Sequence, residues 1–320
     1  MDRRTLPHRV GELVGWGAVA GVGVVMLTQT FGIDGNRLVA SVQALTPYGL
    51  VLMVVVAAIA LWQQILPLAL TAAVVGVSVL GLATPIAFPP GQAIPAADAT
   101  EVRVAAVNLL FSNPRINDVA DLMIETNADV LVFSEYTVDH SRALLAHPLA
   151  SLYPFQVNRD GLFAGGTAVW SRLPIVENAR PVSINRTIDA TVTTADGPIR
   201  VLAVHPPTPI FDFGEWKADL KRIGQAAESA TEPIVVIGDF NASYWNPALR
   251  RLLRNGLTDA HMANGAGWSV SWPTDKIVPP FVRLDHALTG NGLVSTSVED
   301  YRVPGSDHAG LTVTVALATP

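Results

Sequence analysis

The sequence predicts an α/β domain of two packed mixed sheets flanked by helices, preceded by an N-terminal three-helix transmembrane region. Three features of the 320 residues lead there. Apolar stretches long enough to cross a bilayer lie in the first ninety residues. Charge is partitioned: residues 1–100 hold Arg3, Arg4, Arg9 and Arg37 against Asp2, Glu12, Asp34 and Asp98, so the net charge of −6 resides after them. From Glu101 onward, short β-branched runs alternate with amphipathic helical spacing, the pattern of sheets covered by helices.

The membrane part is expected over residues 1–88, with helices at about 13–31, 39–61 and 65–87. Each is close to the twenty apolar residues that span the hydrocarbon core. A signal peptide would account for the first alone. Gly15, Gly17, Gly21 and Gly23 suit close helix packing, and Pro67 falls near a helix start, where proline is tolerated. Arg3, Arg4 and Arg9 precede the first span, which predicts a cytoplasmic N-terminus. Three crossings then put everything after residue 88 outside the cell membrane. Residues 89–100 read as a Pro/Ala-rich linker.

Within 101–320 the elements follow in order. Residues 102–107 read as a strand. Residues 117–126 have helical spacing with Asn117 as N-cap, and 129–133 read as a buried strand. Residues 144–152 are helical or irregular. Strands are expected at 165–171, 180–184 and 188–194, the last forming a hairpin with 199–204 around Asp196-Gly197. An amphipathic helix covers 216–229, and a strand follows at 234–237. A short helix at 247–255 closes on Gly256. Late strands run over 283–288, 294–301 and 311–316. The chain has no cysteine, which excludes disulfides, a thiolate nucleophile and Cys-ligated zinc.

The chemistry gathers where strands end. Ile234-Val235-Val236-Ile237-Gly238-Asp239-Phe240-Asn241 is a buried strand running into two polar residues spaced two apart. Period-2 geometry sets Asp239 and Asn241 on one face and Phe240 on the other. That pair suits holding a water beside a phosphate or a metal; a strand followed by an Asx turn would look the same. Asn108, Glu135 and His205 each end a strand, Asp285 lies in Arg283-Leu284-Asp285-His286, and Asp307 and His308 precede the last strand. His286 neighbours Asp285 but faces the other way on a strand. Trp245, Trp268 and Trp272 could line a substrate groove, but buried packing is the preferred reading for each.

This order resembles the endonuclease/exonuclease/phosphatase superfamily, with its deoxyribonuclease-I-like fold. The motifs that carry it are Gly238-Asp239-Phe240-Asn241 and Ser306-Asp307-His308, with Glu135, His205 and Asp285 in matching order. The resemblance covers roughly residues 101–317 and implies a four-layered α/β sandwich. It further implies an Mg²⁺- or Mn²⁺-dependent phosphoric ester hydrolase. Glu135 resembles the principal metal ligand, with Asn108 and Asp307 beside it. Asp239 resembles the residue that orients or deprotonates the attacking water, and Asn241 a ligand to a phosphate oxygen. His308 would be paired with Asp285, and His205 would be the second histidine. In some nucleases of the family that second histidine has a glutamate partner; none is apparent here, and Asp160 is the nearest candidate.

The expected substrate is a phosphate ester, preferably lipid or lipid-linked. A net-acidic domain with no basic cluster beyond Arg250, Arg251 and Arg254 is poorly suited to unspecific nucleic-acid binding. A membrane tether would keep the domain among lipid headgroups. An extracellular nuclease is the alternative. An inactive binding module is disfavoured because Glu135, Asp239 and His308 are all retained.

Overall fold

The computed structural model describes residues 6–89, 91–178 and 187–319. The strand expected at 180–184 lies outside the described residues. The chain divides into two compact units, Met1–Phe88 with Tyr244–Pro247, and Pro89–Ser243 with Ala248–Pro320.

The first unit is helical: α1 (Leu6–Thr30), α2 (Arg37–Ala44), α3 (Thr46–Trp62) and α4 (Leu66–Ala87). Among the described residues, two helical stretches, His8–Thr30 and Leu66–Ala87, are long and apolar enough to cross a membrane. The second expected span is broken: α2 and α3 meet at a 70° bend and count as a third crossing only if taken together. The cause is Thr46-Pro47. Proline has no N–H for the Gln43 carbonyl four residues back, and the Thr46 hydroxyl donates to that carbonyl instead, at 2.6 Å. The buried Gln43 amide then bonds Thr28 Oγ1 and the Ile33 carbonyl, at 3.1 and 2.9 Å. Glycine packing is narrower than the composition suggests. A Cβ at Gly15 would come 2.7 Å from a Leu68 methyl, whereas Gly17, Gly21 and Gly23 face open space. As expected, Pro67 stands in the first turn of α4.

Among the described residues, the second unit is a sandwich of two mixed six-stranded sheets. Its elements are β1 (Val102–Asn108), α5 (Ile116–Glu125), β2 (Val130–Ser134), α6 (Val138–Ala146), α7 (Leu149–Leu152), β3 (Phe155–Arg159), β4 (Thr167–Ser171) and β5 (Ile175–Glu177). There follow β6 (Thr187–Thr194), β7 (Gly197–Val204), α8 (Phe213–Glu228), β8 (Ile234–Asp239), α9 (Pro247–Arg254), β9 (Thr258–Asp259), α10 (Ala260–Ala263), β10 (Asp285–Gly290), β11 (Leu293–Arg302) and β12 (Ala309–Leu317). The sheet orders are β11-β12-β1-β2-β4-β3 and β5-β6-β7-β8-β10-β9.

Alternation along the strands builds the layers. Val102, Val104, Val130, Val132 and Val313 of one sheet meet Ile188, Val201, Ala203, Val235 and Ile237 of the other in a single apolar core. The opposite face of the first sheet, with Ala105, Val107, Leu131 and Phe133, packs on Val119 and Met123 of α5 and Leu144 of α6. Helix α8 covers the second sheet, tied down by Arg200 Nη1 to the Ala226 carbonyl and Trp216 Nε1 to the Asn241 carbonyl. The cap of α5 differs from expectation. Arg115 holds that position without a side-chain bond, and Asn113 accepts from the Arg115 amide at 2.8 Å. The linker lies on the first sheet: the Ala96 amide bonds the Leu317 carbonyl, and the Thr319 amide the Ile94 carbonyl, both at 2.9 Å.

Candidate active site

One end of the sandwich collects the polar strand ends. Parallel β1 and β2 deliver Asn108 and Glu135, since Asn108 pairs in register with Ser134. Parallel β7 and β8 deliver His205 and Asp239. Antiparallel β10 begins where β8 ends, so Asp285 stands directly opposite Asp239. The turn before β12 delivers Asp307 and His308.

Asp239 is the centre. It is 2% exposed. Its Oδ2 accepts from Asn108 Nδ2 at 3.0 Å, and lies 3.7 Å from His205 Nε2 and 3.8 Å from His308 Nε2. Its Oδ1 accepts the Asn241 amide at 2.8 Å. The turn after the strand is therefore an Asx turn and also part of the site; the two readings of the octet describe one device. Asn241 adopts φ 47°, and its Nδ2 donates to the Pro206 carbonyl at 3.0 Å, binding the turn to the residue after His205.

Glu135 sits at φ 56°, a left-handed conformation that non-glycine residues adopt only under constraint. The constraint is visible: Oε2 accepts the Phe111 amide at 2.7 Å and Oε1 accepts Asn108 Nδ2 at 3.2 Å. Asn108 thus bridges the two carboxylates, and its own Oδ1 accepts the Leu110 amide at 2.9 Å. Asp307 reaches the site through its neighbours. Ser306 Oγ donates to the Asn108 carbonyl at 2.7 Å and accepts the His308 amide at 3.0 Å. The Asp307 carboxylate is held by Trp272 Nε1 at 3.0 Å.

His308 Nδ1 lies 2.8 Å from Asp285 Oδ2, with both side chains buried. Burial alone would lower this imidazole, but Asp285, Asp239 and Asp307 hold it up to about 10, so it carries its proton at neutral pH. Burial raises the Asp239 carboxyl above the usual range; His308 and His205 oppose that and Asp285 reinforces it. For His205 the ion-pair partner is Asp239. Asp160, the candidate considered from sequence, is exposed, and its charge bears on the Tyr136 hydroxyl.

The donor chemistry fits a hard divalent cation. Among the described residues, Asp239, Asp285 and His308 offer ligand atoms within 4.8 Å of one another. His308, protonated and bonded to Asp285, is no donor to a cation. That leaves the oxygens of Asp239 and Asp285, with Glu135 one amide away across Asn108. Buried carboxylates facing each other favour a positive charge between them, and oxygen donors suit Mg²⁺ or Mn²⁺.

Two positioning residues escaped the sequence reading. Trp272, a packing residue by sequence, anchors Asp307, and Ser306 ties the last turn to β1. Neither has a local signal beyond the Ser-Asp-His triplet. Arg283 is a third contributor: Nη1 donates to the Asp285 carbonyl at 3.1 Å, and the guanidinium pairs with Asp300. His286 faces away, as its strand position requires, with Nδ1 2.8 Å from Asp259 Oδ2 and Nε2 3.1 Å from the Ala242 carbonyl.

The fold has relatives among solved structures. A humanised D. rerio TDP2 matches with a TM-score of 0.58 at 14% identity, over 67% of this chain and 98% of that one. D. rerio TDP2 complexed with single strand DNA product matches at 0.56 and 16%, over 68% and 99%. An endonuclease/exonuclease/phosphatase from Beutenbergia cavernae DSM 12333 matches at 0.52 and 19%, over 68% and 72%. Identities this low establish the fold alone. No curated protein matches the sequence. The Endonuclease/Exonuclease/phosphatase family profile matches residues 105–308, from within β1 to the final histidine. The chain belongs to the Endonuclease/Exonuclease/phosphatase family, whose members hydrolyse phosphate esters.

Proposed function

We propose that the protein is a membrane-tethered, extracytoplasmic phosphoesterase that uses Mg²⁺ or Mn²⁺ and acts on a lipid or lipid-linked phosphate. The observation that carries the hydrolytic reading is the surrounding of Asp239: a buried carboxylate whose Oδ2 faces Asn108 and the Nε2 atoms of two histidines. A carboxyl made more basic by burial is suited to orient a water and accept its proton. Asn241 and His205 border the same space and would hold the phosphate oxygens. His308, kept protonated by Asp285, would offset negative charge as the five-coordinate phosphorus forms. Glu135 with Asn108 and Asp307 would hold the cation, which supplies further neutralisation of phosphate charge when bound.

The net charge of −6 supports a lipid-phosphate substrate over nucleic acid. Helices of membrane-crossing length supply a tether, and the basic residues at the N-terminus favour a cytoplasmic start. A nuclease is the second reading, favoured by one observation: a fold neighbour is complexed with single strand DNA product.

The test is Mg²⁺-dependent release of p-nitrophenol from bis-p-nitrophenyl phosphate by the full-length protein in membranes. Turnover should vanish with EDTA, return with Mg²⁺, and be absent in Asp239→Asn. Activity in Asp239→Asn equal to wild type sinks the hydrolytic reading. Parallel assays on plasmid DNA and on a phospholipid separate the two substrate classes.

A further inference from the structure

The five most exposed large apolar side chains described in the second unit are Ile277 at 105%, Phe211 at 88%, Leu162 at 79%, Ile94 at 77% and Phe163 at 74%. Ile94 belongs to the linker. The other four stand on three loops, and each loop is fastened to the active site.

The first loop, 160–166, is clamped to the residue after Glu135. The Gly161 amide donates to the Tyr136 carbonyl, and the Tyr136 amide to the Gly166 carbonyl, both at 3.0 Å. No side chain fits at Gly166, where a Cβ would stand 1.8 Å from the Tyr136 oxygen. At its tip Phe163 is held at φ 50°, a strained state for a bulky residue. Phe111, whose amide binds Glu135, meets the Phe163 ring edge-on at 6.1 Å. The second loop follows His205: Pro206 binds Asn241, and the Thr208 carbonyl accepts the Phe211 and Asp212 amides at 3.1 Å, so Ile210 and Phe211 project beyond the turn. The third loop carries Ile277 and Val278. Its base is the Trp272–Val282 bridge, and the Thr274 amide binds the Asp307 carbonyl at 2.8 Å.

Isolated apolar residues on a surface need no explanation, but a set of them surrounding one polar site does. Residues 109–113, 160–166, 206–212 and 273–281 hold one basic group, Lys276, against Asp160, Asp212 and Asp275. The rim is therefore not an electrostatic docking site for nucleic acid or an acidic protein. It has the make-up of an interfacial anchor, with apolar tips that enter the headgroup and acyl boundary. The same chain supplies the partner, because helices of membrane-crossing length keep a bilayer within a tether's reach of this domain.

We propose that the active-site mouth docks on a bilayer through Leu162, Phe163, Phe211 and Ile277, so that the site takes its phosphate ester from the lipid surface. This rests on the phosphoesterase reading and deepens it. Docking is apolar, so it proceeds on zwitterionic, net-neutral phosphatidylcholine and persists in high salt.

The chain's lack of cysteine makes the test clean. Nitroxide is placed at Phe163→Cys, Phe211→Cys or Ile277→Cys in the full-length protein in phosphatidylcholine vesicles, with Ser229→Cys as a control on the far end of α8. Oxygen and nickel-chelate accessibilities should put the three tip labels about 5–10 Å below the phosphate level and the control in water. The triple variant Phe163→Asn/Phe211→Ser/Ile277→Ser should lose ~10-fold or more of its turnover of a bilayer-embedded phosphodiester, given what burial of such side chains contributes. Its turnover of a water-soluble ester should be unchanged. Tip labels in water while wild type hydrolyses the soluble ester overturn the docking surface and leave the hydrolase standing. An equal loss on both esters also overturns it. Inserted labels without turnover of either ester uphold the surface and refute the hydrolase.

Discussion

Replacing Asp285 by asparagine tests the charge logic of the site. Asp285 Oδ2 lies 2.8 Å from His308 Nδ1, and an Asn oxygen can still accept that hydrogen bond, so ring orientation is kept and charge alone is removed. The folded imidazole stands at about 10 against an ordinary 6.5, a preference for the protonated ring on the order of 5 kcal/mol. After burial, which acts against it, Asp285 is the largest contributor, with Asp239 and Asp307 behind it. If Asp285 supplies about half, its loss lowers the imidazole pKa by roughly two pH units. The ring stays mostly protonated near neutral pH, and turnover falls by up to ~10²-fold only toward about pH 10 and above. The sign is fixed by the direction of the shift: a raised pKa keeps the active, protonated form below that value and loses it as pH rises through it. The alkaline limb of kcat should therefore move down by about two units, while KM for a soluble phosphodiester changes little. The assay is p-nitrophenol release from pH 6 to 10 at saturating Mg²⁺. A variant within threefold of wild type across that range, with an unmoved alkaline limb, refutes the assignment of His308 as a charged stabiliser held by Asp285.

Other outcomes follow from single contacts. Glu135→Gln keeps the Phe111 bond but removes a charge, and should raise the half-saturating Mg²⁺ concentration by at least ~10-fold in activity titrations. Gly238→Ala cannot be accommodated: at φ 138° its Cβ would lie 2.2 Å from the Val204 carbonyl oxygen, and the strand pair that carries His205 and Asp239 should lose ~3 kcal/mol, read as a fall of about 10 °C in the domain's Tm. Asp300 is pushed up by burial but held down to about 2 by the His261 hydrogen bond and Arg283, below its ordinary 3.8. Its stabilisation is then full above about pH 4 and lost as pH falls toward 2, so Asp300→Asn should flatten the acid limb of thermal stability. Trp272→Phe removes the donor to Asp307 and should weaken Mg²⁺ activation more than it lowers Tm.

Local signals made much of this molecule readable. The apolar stretches, the β-branched runs and the Gly-Asp-Phe-Asn motif are each decided by a few neighbouring residues. What escaped was non-local. Strand β3 has the polar residues Gln156, Asn158 and Arg159 and lies at a sheet edge, so no apolar run marks it. Strand β5 has only three residues. The second apolar stretch looks continuous by composition, yet Pro47 divides it, because a missing N–H outweighs hydropathy when a neighbouring Thr hydroxyl can bond the orphaned carbonyl. Asn117 is a cap by residue type, but Asn113, two residues before the cap position Arg115, takes the local amide. Ser306 and Trp272 gain their roles from partners far away in sequence.

The positive-φ residues explain how two sheets make one site. Leu110, Glu135 and Asn241 all adopt left-handed backbone just beyond strand ends. A strand continued in regular geometry would keep alternating its side chains between the core and the helical layers, and a carboxylate two residues on would remain stacked above the first. A left-handed residue ends that alternation and folds the chain back over the strand end. Asn241 can then give its amide to Asp239, and Glu135 can accept from Phe111. Each such residue costs about 1–3 kcal/mol, and bonds from the other strands hold it in place. The cost is therefore shared across both sheets. Breaking one tie, such as Ser306 to Asn108 or Trp272 to Asp307, should shift the geometry of groups on the opposite sheet before it unfolds either. Phe163 has the same backbone state without a polar partner for its ring. Its strain secures no hydrogen bond of the catalytic set and serves only to project an apolar side chain, which is the feature that separates the rim of this site from its centre.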